Sequence, residues 1–226
     1  MHSYGQYCPV AKASELLGDR WVLLIVREML YGPLGFTALE RNLPGISRSV
    51  LTARIRRLRH DGIIEKQADG RYAFTTAGEA LRPVVRVLGD WVARWILADP
   101  TPAELDPEML MLFISRHIDR AALPDRRTVI EFDFHGEPSR RLWMTLERDD
   151  ISVCLSHPEL PIDLTVRTTV RDLFCVYLGR MTLGTAIRED RVRLTGTADM
   201  IKGFHRWMLW SSFAAASQAA VGSTAR

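Results

Sequence analysis

Between Pro44 and Lys66 the chain reads PGISRSVLTARIRRLRHDGIIEK, and Arg48, Arg54, Arg56, Arg57, Arg59 and His60 all precede the first acid, Asp61. A guanidinium group is a planar fork of donors that matches phosphate oxygens and the edge of guanine. Pro44 and Gly45 make a turn, Ser47 is suited to cap a helix and Gly62 to stop it, so the spacing predicts a helix to about His60. Leu51, Ile55 and Leu58 recur at i, i+4, i+7 and form one apolar face. The opposite side presents Ser49, Thr52, Ala53, Arg56 and Arg57, small polar residues and guanidinium groups of a size to enter a DNA major groove. A run of charge on a helix is more often a solvated face. Solvated faces, however, mix signs so that Glu and Lys pair at i, i+4, and no acid occurs here from Arg41 to His60. The asymmetry favours a polyanionic partner.

The elements on either side must position this helix. CPVAKASELLGDRWVLLIVREMLYGPLGF predicts a short helix ending near Gly18 and a second from about Asp19 to Tyr31, with Trp21, Leu24, Ile25 and Leu30 buried and a stop at Gly32 and Pro33. FTALERNLPGI adds a short helix with Phe36, Leu39 and Leu43 inward. A short helix, a turn and a basic second helix make a helix-turn-helix. IIEKQADGRYAFTT then reads as two short strands joined at Asp69 and Gly70, a dipeptide suited to a tight turn with positive φ. A hairpin in that place is a wing, with Lys66 and Arg71 set to touch phosphate. Thr76 and Glu79 form a capping box that opens a helix in which Leu81, Val84, Leu88, Trp91 and Trp95 share a stripe, while Pro83 kinks it or limits its first turn. That stripe is either core within the domain or a dimer contact, and the two-fold symmetry of palindromic DNA sites favours the dimer.

CPVAKASELLGDRWVLLIVREML followed by GPLGFTALERNLPGISRSVLTARIRRLRHDGIIEK resembles the winged-helix transcriptional regulators of the HxlR type, relatives of the MarR group, over about residues 4–97. The resemblance implies a homodimer on double-stranded operator DNA, a repressor, with Ser47, Arg48, Ser49, Thr52, Arg54 and Arg57 on or beside the reading helix. Arg54 lies near the edge of the buried face, as a phosphate clamp or one half of an internal ion pair. The hairpin loop is shorter than the family's usual wing, which argues against deep minor-groove contact. Cys8 stands where the family pattern begins, and some members use such a cysteine to sense oxidants or electrophiles. Two roles stay open for it: a redox sensor beside a helix that starts after Pro9, or a buried inert thiol packing the dimer.

With 226 residues, 47% hydrophobic and 25% charged, the chain has the composition of a globular protein of one or two domains. Residues 1–98 hold 14 Lys and Arg against 9 Asp and Glu, a balance of +5; the remaining 16 against 18 leave the rest at −2. The basic excess therefore sits with the helix-turn-helix. Arg outnumbers Lys 27 to 3, which fits a GC-rich coding bias and a bacterial source. No apolar stretch is long enough to span a bilayer and no signal-peptide pattern opens the chain, so a cytoplasmic protein without membrane insertion is expected. Cys8, Cys154 and Cys175 are too scattered for a disulfide framework, and the histidines are single; no structural metal and no cofactor are expected.

Residues 99–106, rich in proline and acid, read as a linker to a second domain at 107–226. There Met109, Leu112 and Phe113 lie on a helix. Four stretches alternate with period two, Ile130/Phe132/Phe134, Leu142/Met144/Leu146, Ile151/Val153/Leu155 and Ile162/Leu164/Val166, as half-buried antiparallel strands do. TVRDLFCVYLGRM follows as a helix, RVRLTG as a last strand, and Thr197 caps a final helix with Ile201, Phe204 and Met208. This order resembles the sterol-carrier-protein fold, an α/β layer whose relatives enclose an apolar tunnel. Phe113, Phe132, Phe134, Trp143, Met144, Phe174, Tyr177 and Met181 then either line a cavity for an apolar small molecule or fill a core. The fold expected is α+β: an N-terminal winged helix-turn-helix followed by a sterol-carrier-protein-like α/β domain with a mainly antiparallel sheet. No G-x-S-x-G, Walker loop, dinucleotide fingerprint or convergent carboxylate pair is present, so an enzyme is not expected. The alternative to a DNA-binding regulator is a lipid carrier whose basic domain docks to a partner or an anionic membrane.

Overall fold

The computed structural model describes residues 3–223, with side chains described as far as 219; residues 1–2 and 224–226, at the ends of the two expected domains, lie outside the described residues. The chain divides into two compact units, residues 1–89 and 90–226. The division falls inside a helix rather than at residues 99–106. Residues 97–99 are tied into the second unit, where Arg180 pairs with Asp99 at 2.6 Å and donates to the carbonyls of Leu97 and Ala98.

The first unit runs α1 (Pro9–Leu17), α2 (Val22–Met29), α3 (Phe36–Asn42), α4 (Arg48–His60), β1 (Ile64–Lys66), β2 (Tyr72–Phe74), α5 (Thr76–Glu79) and α6 (Arg82–Trp95), the last continuing past residue 89. The basic helix α4 forms where the spacing places it. Ser47 Oγ accepts from the Val50 amide at 3.3 Å, and Gly62 leaves the helix at φ 69°, a left-handed conformation that costs glycine little. Leu51, Ile55 and Leu58 are buried in one cluster with Val22, Ile25 and Met29 of α2, Leu39 of α3 and Leu43 just past its end.

Several details differ from the sequence reading. Helix α2 starts at Val22, because Trp21 takes φ 82° and interrupts the chain after α1. Its buried face is Val22, Ile25, Val26 and Met29, whereas Leu24 is 39% exposed and Trp21 and Leu30 are partly covered. The run VLLIV carries no periodicity, so the position of the packing partners chose the face. The wing pairs Ile64 with Phe74 and Lys66 with Tyr72. Its turn is wider than a two-residue loop: Gly70 donates to Gln67 O at 3.0 Å, Gln67 to Arg71 O at 2.8 Å, and it is Gly70, not Asp69, that has positive φ. Thr75 rather than Thr76 caps α5, its hydroxyl accepting from the Gly78 amide at 3.2 Å and donating to Gly62 O at 2.6 Å; Glu79 turns instead to Arg82 at 2.6 Å. The chain breaks between α5 and α6, and Pro83 sits in the first turn of α6, where its missing N–H is harmless. Of the expected stripe, Leu81 packs against the core just before α6, whereas Val84 and Leu88 are exposed, Trp91 by 52% and Trp95 by 65%, with Val87 exposed beside them.

The second unit contains α7 (Pro107–Ser115), β3 (Thr128–Phe134), β4 (Arg140–Leu146), β5 (Ile151–Cys154), β6 (Leu164–Thr168), α8 (Val170–Tyr177), α9 (Leu183–Arg188), β7 (Val192–Gly196), α10 (Ala198–Trp207) and α11 (Ala214–Ser223). The five strands lie in the order β5-β4-β3-β6-β7. Three pairings are antiparallel, but β6 runs parallel to β3, with Phe132 beside Val166. Alternation reports which face a residue takes and is blind to strand direction, so the segment 155–163 that crosses the sheet was the deciding element. Leu155 belongs to that crossover and is exposed. Phe132, Phe134, Leu142, Met144, Leu164 and Val166 share one face, packed with Phe204 and Trp207 of α10 into a continuous core. TVRDLFCVYLGRM is helical only to Tyr177, capped by Thr169 and followed by Gly179 at φ 74°; α11 follows the helix that Thr197 caps.

Candidate nucleic-acid interface

Helix α4 has three exposed aspects, and the residues on each have different partners. Its outer face carries Ser49, Thr52, Ala53, Arg56 and His60, roughly one turn apart along the helix. At its head the hydroxyls of Ser47 and Ser49 lie 3.1 Å apart, and Thr52 donates to Arg48 O at 2.7 Å, leaving its oxygen free to accept. No acidic residue stands on this face. It is narrow, polar and open.

The flank toward α1 and α2 holds Arg54 and Arg57. Arg54 donates through Nε to Arg20 O at 3.1 Å and pairs with Asp19 at 3.3 Å, so of its two expected roles the structure has the internal ion pair. Arg57 pairs with Asp61 at the end of its own helix. Both line a concavity of about 610 Å³ with Tyr4, Ser14, Glu15, Gly18 and Asp19. Arg57, placed on the outward surface by the helical wheel, therefore points along the side of α4 and is already engaged. Arg48 stacks over Phe36 at 5.0 Å and reaches Glu40 at 3.4 Å, and Arg71 on the wing is held by Asp69 at 2.7 Å. The acid-free run from Arg41 to His60 is thus acid-free only along the chain. Asp19, Glu40 and Asp61 return to it in space or just past its end.

The flank toward the wing differs. Arg56, Arg59, His60 and Lys66 line an open concavity of about 490 Å³ with Ile64 and Glu65. These four basic side chains have no hydrogen bond or ion pair among the described residues. Of the four, Arg56 and Lys66 are legible as contact residues from sequence. Arg59 and His60 are not singled out by the helical wheel, although their spacing of three and four from Arg56 groups them with it.

The apolar set of the second unit does not converge. Phe132, Phe134 and Met144 are fully buried in the core, with Phe132 and Phe134 rings 6.3 Å apart. Trp143 points to the opposite face of the sheet, against the His157 ring at 5.4 Å, and its Nε1 is buried without a hydrogen-bond partner among the described residues. Phe113 stacks on Tyr177 at 6.2 Å, and Phe113, Phe174 and Met181 remain partly exposed. Cys8 is partly exposed at the N-cap of α1, with Pro9 in the first helical turn.

A reading helix held on a small helical core and followed by a two-stranded wing defines a winged helix-turn-helix protein. Residues 16–100 match the HxlR-like helix-turn-helix family, and the chain belongs to that family. Its relatives are bacterial transcriptional regulators, and membership implies DNA binding. The chain is 33% identical over 103 residues to the uncharacterized HTH-type transcriptional regulator YvaP of Bacillus subtilis, an overlap of 42% of this chain and 94% of that one. It is 40% identical over 88 residues to the uncharacterized HTH-type transcriptional regulator Rv3095 of Mycobacterium tuberculosis, covering 36% of this chain and 55% of the relative. The crystal structure of quinone-bound YodB from B. subtilis shares 32% identity, covering 39% of this chain and 99% of that one, with a TM-score of 0.37. No helix among the described residues is long and apolar enough to cross a membrane.

Proposed function

We propose that the chain is a homodimeric, sequence-specific repressor that reads operator DNA with α4. The observation that carries this reading is the outer face Ser49, Thr52, Ala53 and Arg56: exposed at all but the half-buried Thr52, small up to its end, free of acid, and ending in a guanidinium with no partner among the described residues. Small residues let the helix enter the groove, and Arg56 supplies the donor fork for a guanine edge. Ser47, Arg48 and Lys66 serve as backbone contacts, and Arg71 joins them once Asp69 releases it. Arg54 holds α4 to the turn between α1 and α2, and Arg57 closes the end of α4 on Asp61. Dimerisation through α6 is supported by its uncovered apolar surface, since two tryptophans and four valines or leucines exposed on one helix leave a surface that a second copy buries.

The second unit is proposed to be sterol-carrier-protein-like and to modulate DNA binding through an apolar small molecule. Its element order, a helix, three antiparallel strands, a crossover to a parallel strand, then helices, a strand and a helix, supports that assignment. The burial of Phe132, Phe134, Met144 and Tyr177 in the core moves the proposed ligand contacts to Phe113, Phe174 and Met181, which stay partly exposed. Cys8, accessible at the head of α1, is the proposed point of attack for an electrophile. Footprinting the purified protein on fragmented DNA of its own genome tests the central claim. Protection of discrete palindromic sites, lost as salt is raised, is expected; uniform occupancy without preferred sites rejects a sequence-specific regulator.

A further inference from the structure

Strand β5 lies at one edge of the five-stranded sheet, and that edge lacks the protection the other has. Antiparallel ladders alternate bonded and non-bonded residue pairs, and the turn between β4 and β5 sets the phase: Glu147 N donates to Asp150 O at 2.8 Å. Thr145 with Ser152 and Trp143 with Cys154 are therefore the bonded pairs, whereas Ile151 and Val153 occupy the pairs between them, opposite Leu146 and Met144. Their N–H and C=O groups turn outward, and no hydrogen bond reaches them there among the described residues. The side chains of the same two residues are only half-buried at the rim of the core, and Leu155, next in the alternation, is 54% exposed. No charge and no proline occurs from Ile151 to Ser156, while β7 at the opposite edge carries Arg193 and follows Arg191, charges of the kind that keep sheet edges apart.

We propose that β5 is a self-association edge, at which the β5 strands of two copies of this chain pair antiparallel and join their sheets; the pairing rests on the homodimer proposed above. Self-complementarity makes a second copy the fitting occupant. A two-fold axis through Val153, perpendicular to the sheet, keeps the apolar faces of both copies on one side and sets the outward backbone groups of Val153 against those of the same residue in the second copy. Ile151 then meets Leu155, so the exposed apolar row covers itself, and Ser152 meets Cys154 on the other face. Moving the axis to Ser152 also aligns the backbone groups, but it sets Leu155 opposite Asp149, an apolar side chain against a charge. An edge this short buries less than the roughly 1,200 Å² at which stable complexes begin, so the strands pair only between copies already held together. Two chains that dimerise elsewhere supply each β5 with its partner at high local concentration.

Residues that face each other in a non-bonded antiparallel pair have Cα atoms about 4.5 Å apart, within the roughly 4.4 to 6.8 Å that a disulfide spans. In the full chain carrying Cys8→Ser and Cys175→Ser, Cys154 is the one native thiol left. Adding Ser152→Cys should then give a disulfide-linked dimer on a non-reducing gel after exposure to oxidised glutathione. Each link joins the introduced sulfur to Cys154 of the second copy and reduces one oxidised glutathione to two thiols. Further replacement Cys154→Ser should abolish the link. A second measurement needs no new cysteine: the Ile151 and Val153 amides should exchange hydrogen slowly in the parent, and Leu155→Lys, an exposed change that blocks edge pairing, should return them to the fast exchange of a free edge. Sedimentation of the parent as a dimer with both amides exchanging fast overturns the pairing and leaves the homodimer standing. So does a missing link in a Ser152→Cys variant that melts like its parent, and so does a link that survives Cys154→Ser, since it reports another register. A parent that sediments as a monomer removes the homodimer and the pairing with it.

Discussion

Arg56 and Arg57 are adjacent, identical in type, and expected to behave in opposite ways when truncated. Arg56 stands on the outer face of α4 without a partner among the described residues, so its guanidinium is available to DNA at no cost in broken contacts. Arg57 is held by Asp61, with both side chains only about a quarter exposed or less. Arg56→Ala should therefore cost about 1 to 3 kcal/mol per half-site if the fork reads guanine, or roughly 5- to 150-fold, and a dimer on a palindrome feels the loss twice. Arg57→Ala removes an i, i+4 pair worth at most about 1 kcal/mol, which should lower the melting temperature of the first unit by a few degrees. Fluorescence anisotropy on a footprinted operator, with thermal melts of the same samples, separates the two. Equal or greater loss of operator affinity in Arg57→Ala, with its melt unchanged, would refute the assignment of Arg56 to reading and Arg57 to holding.

Three further outcomes follow from the packing. At Gly78 an added Cβ would come within 2.1 Å of Ile63 O and 2.7 Å of Phe74 Cδ1, both inside the wing junction, so Gly78→Ala should destabilise the first unit by more than a surface change and show as a lower denaturation midpoint. Replacing Val87 and Trp91 together by Glu should yield a monomer in sedimentation equilibrium with a wild-type circular dichroism spectrum; an intact dimer would remove α6 from the interface. Burial, helped by Arg116, holds the His117 imidazole below its ordinary value against the opposing hydrogen bond to Phe113 O. The unfolded chain then binds the proton first, so stability of the second unit is lost as pH falls below about 6.5 and toward the lower folded value. Denaturation of the parent and of His117→Gln at pH 5 and 7.5 checks this, the variant being expected to show the smaller difference.

Local signals along the chain were enough to determine α4 and the strands of the second unit. Ser47, the Leu51, Ile55, Leu58 spacing and Gly62 act within a few residues of one another, and alternation from Ile130 to Phe134 reports a half-buried strand whatever lies beside it. The family was legible for the same reason, since its pattern is a run of such local signals. Tertiary structure decided what those signals leave open. The partners of Arg54 lie some 34 residues away at Asp19 and Arg20, and only folding brings them to α4 and takes that side chain out of contention for DNA. Likewise Trp143 and Met144 are neighbours in sequence, yet pleating sends them to opposite faces of the sheet, and the parallel placement of β6 depends on a crossover that no periodicity encodes. Which cations stay free is therefore a property of the fold: an ion pair needs two side chains in one place, and sequence distance does not measure that.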